Sequence, residues 1–321
     1  MRVFNFSYTS VLIGLSCLGG VNFFYSSAPE SKKAINFLAT NDSKPQQDSL
    51  IVPGATLQLV SSQFTFTEGP AVDKKGNIFF TDQPNDRIWR YGTDGKLSVF
   101  MDKTGRSNGL YFDHKGNLLA CADANNELWQ ISAKKKVITL VKDIDGKKLN
   151  GPNDLWVHPN GAIYFTDPYY LRQYWTRTSP EIKGEKVYFK RNGKDQPIVV
   201  AEDLLQPNGI VGTPDGKYLY VADIRANKTY KYTIAEDGSL THKQLFVELG
   251  SDGMTLDNRG NLYLTGNGVT VYSPAGEKIL HIPVPAKWTA NVCFGGKERN
   301  ILFITASESV YTLSMLVKGV E

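Results

Sequence analysis

The sequence predicts an all-β fold, a six-bladed β-propeller, from three observations. One hairpin unit recurs six times, its opening residue keeps a fixed distance from the turn that follows, and the units are spaced as propeller blades are. Each unit reads as a polar residue, a short apolar strand, a tight Gly/Asn/Asp turn and a second strand. The first is EGPAVDKKGNIFFTD from Glu68 and the second NGLYFDHKGNLLACAD from Asn108. The third is NDLWVHPNGAIYFTD from Asn153 and the fourth NGIVGTPDGKYLYVAD from Asn208. The fifth is DGMTLDNRGNLYLTG from Asp252. In these five, the opening residue lies eight positions before the turn glycine: Gly76, Gly116, Gly161, Gly216 and Gly260. The sixth, NVCFGGKERNILFIT from Asn291, keeps the strands but carries Arg299 where the glycine would stand. The opening residues are spaced by 40, 45, 55, 44 and 39 positions, against blades of roughly 40 to 50 residues. Period-two alternation and hairpin turns exclude a helical solenoid. A further strand after each hairpin, such as DRIWRY, NELWQI or KTYKY, gives three or four strands per blade.

The propeller is expected over residues 55–321, preceded by a signal peptide at 1–28 and a polar linker at 29–54. The start has one early Arg, an apolar stretch from Val11 to Phe24, and the small residues Ser26, Ser27 and Ala28. These features fit export to the periplasm or beyond the cell, with cleavage after Ala28 and no stable membrane insertion afterwards. A retained N-terminal anchor is the alternative. Gly14 stands where a lipobox would carry Leu, which argues against lipidation at Cys17. The 36 basic and 32 acidic residues give a net charge of +4 with no long like-charge run, so nucleic acid is not an expected partner. Cys121 and Cys293 sit in apolar strand-like runs and read as buried thiols, with a disulfide between them the alternative. With no CxxC spacing and four His, the chain has no structural zinc pattern.

In a propeller the innermost strand of each blade runs beside the central channel, so residues at one register arrive at one height around the axis. Glu68, Asn108, Asn153, Asn208, Asp252 and Asn291 are therefore expected to form a ring of side-chain oxygens at one mouth. Asn and Asp also open strands after turns, and Asn-Gly is a common turn pair. Glu68 is out of place in that reading, because Glu is not a turn former. Carboxylate and amide oxygens without His or Cys suit a hard cation, best Ca²⁺, with Mg²⁺, Mn²⁺ and Zn²⁺ as alternatives. Such an ion supplies Lewis acidity toward a carbonyl or phosphoryl oxygen. The literal G-x-S-x-G at Gly105–Gly109 is followed by a strand rather than a helix, so it is not read as a nucleophile elbow. His114 and His158 lie at or beside hairpin turns and are read as solvated surface residues.

At EGPAVD, LNGPNDLWVHPNGAIYFTDPYY, PNGI, SDGMTLD and ANVCFGGKERNILFIT the chain resembles the SMP-30/gluconolactonase (regucalcin-like) family, in its gluconolactonase-type branch. The resemblance runs from about Glu68 to the C-terminus. It implies one catalytic divalent metal, usually Ca²⁺, and hydrolysis of a small sugar lactone such as gluconolactone. Glu68, Asn153, Asn208 and Asp252 match its metal ligands, and Asp252 is the favoured general base or nucleophile. It also implies substrate contacts from Asn108, Asn153 and Asn291, with Tyr169 and Arg172 in the insertion YYLRQYWTRT shaping the pocket entrance. Asp154 and Asp167 are read as structural hydrogen-bond acceptors for neighbouring loops. Two other readings stand beside lactone hydrolysis. One is a phosphotriesterase-like or arylesterase-like hydrolase; the other is a non-catalytic binding propeller of the NHL type, which would need no Glu68 and Asp252 converging on the axis.

Overall fold

A computed structural model describes residues 50–193 and 195–320. The expected signal peptide and most of the expected linker lie outside the described residues. Leu50 is already buried in the core with Val317, and Ile51 pairs with Met315, so the described chain joins the propeller inside the range assigned to the linker.

Six four-stranded antiparallel sheets form the six blades. Five are built in chain order from one continuous stretch each. The sixth takes Thr289–Gly295, Ile301–Ala306 and Ser309–Ser314 from the C-terminal end, and its outer strand, Gln58–Ser61, from the N-terminal side. The pairing Gln58↔Thr312 and Leu59↔Tyr311 closes the ring with strand hydrogen bonds between the two ends of the fold.

The turn register is kept. Gly76, Gly116, Gly161, Gly216 and Gly260 all adopt left-handed φ between 71° and 89°, and Arg299 adopts +59° in their place. Within three of these turns Asp73, Asp113 and Asp257 each accept hydrogen bonds from the backbone N–H groups two and four residues on. Nothing lies within 4 Å of a Cβ built on Gly116, so Gly116→Ala isolates the cost of the left-handed backbone. Chemical denaturation should show a loss of about 1 kcal/mol.

The glycines that follow four of the opening residues serve another purpose. A Cβ on Gly69 would stand 2.2 Å from Asn108 O, one on Gly109 2.6 Å from Asn153 O, and one on Gly209 2.8 Å from Asp252 O. A Cβ on Gly253 would strike the Asn291 side chain. These Asn-Gly and Asp-Gly pairs are therefore not turns: glycine lets the innermost strands converge on the axis until backbone meets backbone.

Threonines on the second strands of the first, third and fifth blades tie each of these blades to the next. Thr81 Oγ1 donates to Asn108 O, Thr166 Oγ1 to Asn208 O and Thr265 Oγ1 to Ala290 O, all within 3.1 Å. Outside this polar collar, apolar faces of neighbouring blades pack in continuous clusters, for example Trp156 and Tyr164 of the third blade with Ile210 and Val221 of the fourth. Cys121 and Cys293 are buried thiols in separate clusters and are not joined by a disulfide, which settles the sequence alternatives.

Candidate active site

The aspartate that closes the second strand in the first four blades explains how the opening residues are held. Asp82 accepts from Thr65 N and Phe66 N, Asp167 from Asn150 N and Gly151 N, and Asp223 from Leu205 N and Gln206 N. Each carboxylate thus fixes the two backbone amides that lie three and two residues before Glu68, Asn153 and Asn208. Asp167 has the structural role expected for it, and burial pushes its carboxyl up to about 7 despite those two donors.

At the channel mouth a cavity of about 240 Å³ is lined by Glu68, Asn108, Asn153, Asn208 and Asp252. Five of the six expected ring residues are therefore brought together. Asn291 is not among the lining residues: its Oδ1 accepts from Val292 N, and its Nδ2 faces Asp154 Oδ2 at 3.5 Å. These contacts tie the side chain to its own strand and to Asp154, outside the cavity lining where a substrate contact was expected. Asp154 likewise differs from a loop acceptor, since it is buried, accepts from Leu155 N and stands close enough to raise the Glu68 carboxyl.

Two buried carboxylates face one another across this site at an electrostatic cost. Burial pushes Glu68 well above the usual carboxylate range, and the negative charge of Asp252 adds to it. Burial raises Asp252 to about 6, opposed by hydrogen bonds from Trp288 and Asn208. The Glu68 carboxylate accepts one hydrogen bond, from Gly69 N at 3.0 Å. Asn208 donates through Nδ2 to Tyr170 Oη at 2.9 Å while its buried Oδ1 has no hydrogen-bond partner. A buried amide oxygen without a donor is costly. Beside two carboxylates short of counter-charge, it makes a donor set that fits a hard divalent cation.

The insertion after the third inner hairpin supplies one wall. Tyr170 and Arg172 line the cavity, whereas Tyr169 packs on Trp175 and under Arg177, so the expected role of Tyr169 passes to its neighbour. Asp123, the fourth of the repeat aspartates, is diverted to hold this wall. Its Oδ2 accepts from Arg172 Nε at 2.8 Å, from the Tyr174 hydroxyl and from Gln83 Nε2, and its backbone oxygen accepts from Trp175 Nε1. Three side chains of the insertion thus converge on one residue of the second blade. Asp123→Asn should loosen this wall, which faster limited proteolysis within residues 169–178 would report.

Sequence reasoning missed Trp288, whose Nε1 donates to Asp252 Oδ2 at 2.5 Å, together with Gln83, Phe66 and Ile224 of the cavity wall. A larger hollow of about 480 Å³ with mostly apolar walls lies between the turns of the first two blades and contains none of the ring residues. Ser107 of the literal G-x-S-x-G is buried within a strand and donates to Thr104 O.

Comparison with known proteins agrees with this arrangement. The family model described as SMP-30/Gluconolactonase/LRE-like region matches residues 66–308. A gluconolactonase of Zymomonas mobilis is 26% identical over 296 residues, covering 83% of each chain. Among solved structures, a putative gluconolactonase superposes with a TM-score of 0.80 at 28% identity, over 87% of this chain and 98% of the other. A gluconolactonase from Xanthomonas campestris superposes with a TM-score of 0.79 at 27% identity, over 85% and 93%. With its blades, its register and its channel-mouth residues in place, the chain belongs to the SMP-30/gluconolactonase/LRE-like family.

Proposed function

We propose that the protein is a divalent-cation-dependent lactonase that opens a small sugar lactone. The observation that carries the proposal is the set Glu68, Asn153, Asn208 and Asp252 around one cavity, with the Asn208 Oδ1 atom buried and unpartnered, in a chain of this family. These four residues would hold the ion, Ca²⁺ by the hardness of the donors, with Mg²⁺, Mn²⁺ and Zn²⁺ as the other candidates. When bound, a divalent ion supplies Lewis acidity toward the lactone carbonyl.

The remaining chemistry belongs to the side chains. Asp252 is oriented by the Trp288 indole N–H, which engages Oδ2. In its charged form it accepts a proton from a water whose oxygen attacks the carbonyl carbon. The ring C–O bond then breaks, and the proton returns from Asp252 to the departing ring oxygen, giving the open hydroxy acid. Tyr170 and Arg172 offer hydrogen-bond donors to the hydroxyl groups of a sugar ring at the cavity wall.

The test is acid release from a panel of aldonolactones, an aryl ester and a phosphotriester, after chelation and again after each ion is restored. Cation-dependent opening of an aldonolactone above the spontaneous rate supports the proposal. Opening of the aryl ester or phosphotriester alone would move the assignment to those substrates. No turnover of any substrate, with no ion bound, would leave a binding propeller. The proposal includes export: N-terminal sequencing of the mature protein should begin at Pro29.

A further inference from the structure

We infer that the site takes lactones carrying a second sugar ring, and that Trp288 is the stacking platform for that ring. The inference rests on the lactonase reading and narrows its substrate class.

A groove of about 420 Å³ between the fourth and fifth blades shares two lining residues, Ile224 and Trp288, with the channel-mouth cavity. Trp288 is 38% exposed, which is unusual for a tryptophan in a tightly packed propeller. It is also held firmly. Its backbone N–H donates to Ser307 Oγ, its backbone oxygen accepts from the same hydroxyl, and its indole N–H is bound to Asp252. A Cβ on Gly266 would stand 3.6 Å from the six-membered part of the indole, so the absence of a side chain there leaves room beside the ring. An indole whose N–H is held by Asp252 and whose backbone is held at both polar groups, part open to solvent and shared by two cavities, is pre-organised to receive a flat, weakly polar face. The C–H face of a pyranose is such a surface, and ordering the indole in advance removes an entropic cost of binding.

The far side of the groove is polar. Thr270 and His281 are linked through Thr270 Oγ1 and His281 Nδ1 at 3.0 Å, which leaves the imidazole Nε2 for a ligand hydroxyl. Asn267 is exposed at the tip between Gly266 and Gly268 and lines the same groove. An aromatic platform facing amide, imidazole and hydroxyl groups matches a carbohydrate better than an acyl chain, which would leave those groups without partners. With about 240 Å³ at the carboxylates and about 420 Å³ beyond Trp288, the arrangement suits an aldonolactone bearing a glycosyl substituent. The reaction that supplies such a substrate must oxidise the reducing-end hemiacetal of a disaccharide.

The test compares gluconolactone with cellobionolactone at saturating cation, in the wild type and in Asn267→Trp, which fills the groove away from the carboxylates. His281→Ala is the milder companion. The wild type should favour the disaccharide lactone at least tenfold in kcat/KM. Asn267→Trp should erase that preference while gluconolactone turnover stays within twofold, and His281→Ala should lower it in the same direction. Equal kcat/KM for the two lactones in the wild type, or parallel losses in the variants, would overturn the inference. If neither lactone opens, the lactonase reading itself fails, and the groove is judged on tryptophan quenching by cellobionate, the open-chain acid. Quenching that Asn267→Trp removes sustains the groove; no quenching in the wild type sinks it.

Discussion

Asp252→Asn should lower kcat by about 10²- to 10⁴-fold, the usual range for a positioned general base, while the metal-free protein becomes more stable. The substitution keeps the shape of the side chain and an oxygen for the Trp288 indole N–H, so loss of the cavity's architecture is not the cause of the fall. The gain in stability follows from the sign of the pKa shift. In the fold Asp252 titrates near 6, above the unfolded value of 3.8, so its protonated form is favoured by folding. The stability linked to it is fully present below pH 3.8 and is lost as the pH rises through 6. At pH 7.5 the metal-free variant, which carries no such charge, should therefore exceed the metal-free wild type by about 3 kcal/mol. The difference should vanish as the pH falls to 4. Thermal melts in chelator across that range, beside kinetics with the ion restored, measure both halves. A variant that loses activity and stability together would mark Asp252 as structural and remove it from the proton transfers.

The register of the repeat made the propeller readable, because period and turn position depend on local sequence alone. The left-handed glycines of five turns, and the Arg299 that replaces them in the sixth, fall where the unit placed them. The same register located Glu68, Asn108, Asn153, Asn208 and Asp252 on one cavity. At Asn291 the side chain is instead held by Val292 N and Asp154 and is not among the lining residues, a matter of rotamer rather than of position in the strand. The insertion was legible as a wall but not in its facing: adjacent residues in an irregular loop have no period, so nothing in YYLRQYWTRT separates Tyr169 from Tyr170. Asp123 was hidden by its likeness to Asp82, Asp167 and Asp223, since its partners Arg172 and Tyr174 lie some fifty residues away. Trp288 had one faint signal. It stands three residues before Asn291, where the other units carry Thr65, Gly105, Asn150, Leu205 and Leu249.

On the proposed cation site, a divalent cation should raise the melting temperature of the wild type, and Glu68→Gln should abolish that rise. A ligand bound to the folded state alone stabilises it by about 2.7 kcal/mol at a hundredfold excess over Kd. For a domain of this size that corresponds to a rise in Tm of about 5 °C or somewhat more. Glu68 is the ring residue that suffers most without the ion. It is 4% exposed, accepts a single hydrogen bond, and faces the charges of Asp252 and Asp154. A cation held at the mouth, as proposed, would relieve this repulsion directly. Glutamine preserves the volume and the oxygen that Gly69 N requires but removes the charge. The variant should thus melt no lower than the wild type in chelator, and should shift by less than 1 °C when Ca²⁺, Mg²⁺, Mn²⁺ or Zn²⁺ is added. Opposite behaviour, a full shift retained in Glu68→Gln, would place the ion elsewhere on the protein. Such a result would separate the carboxylate pair from metal binding and leave Asp252 to act on the lactone without a Lewis acid beside it.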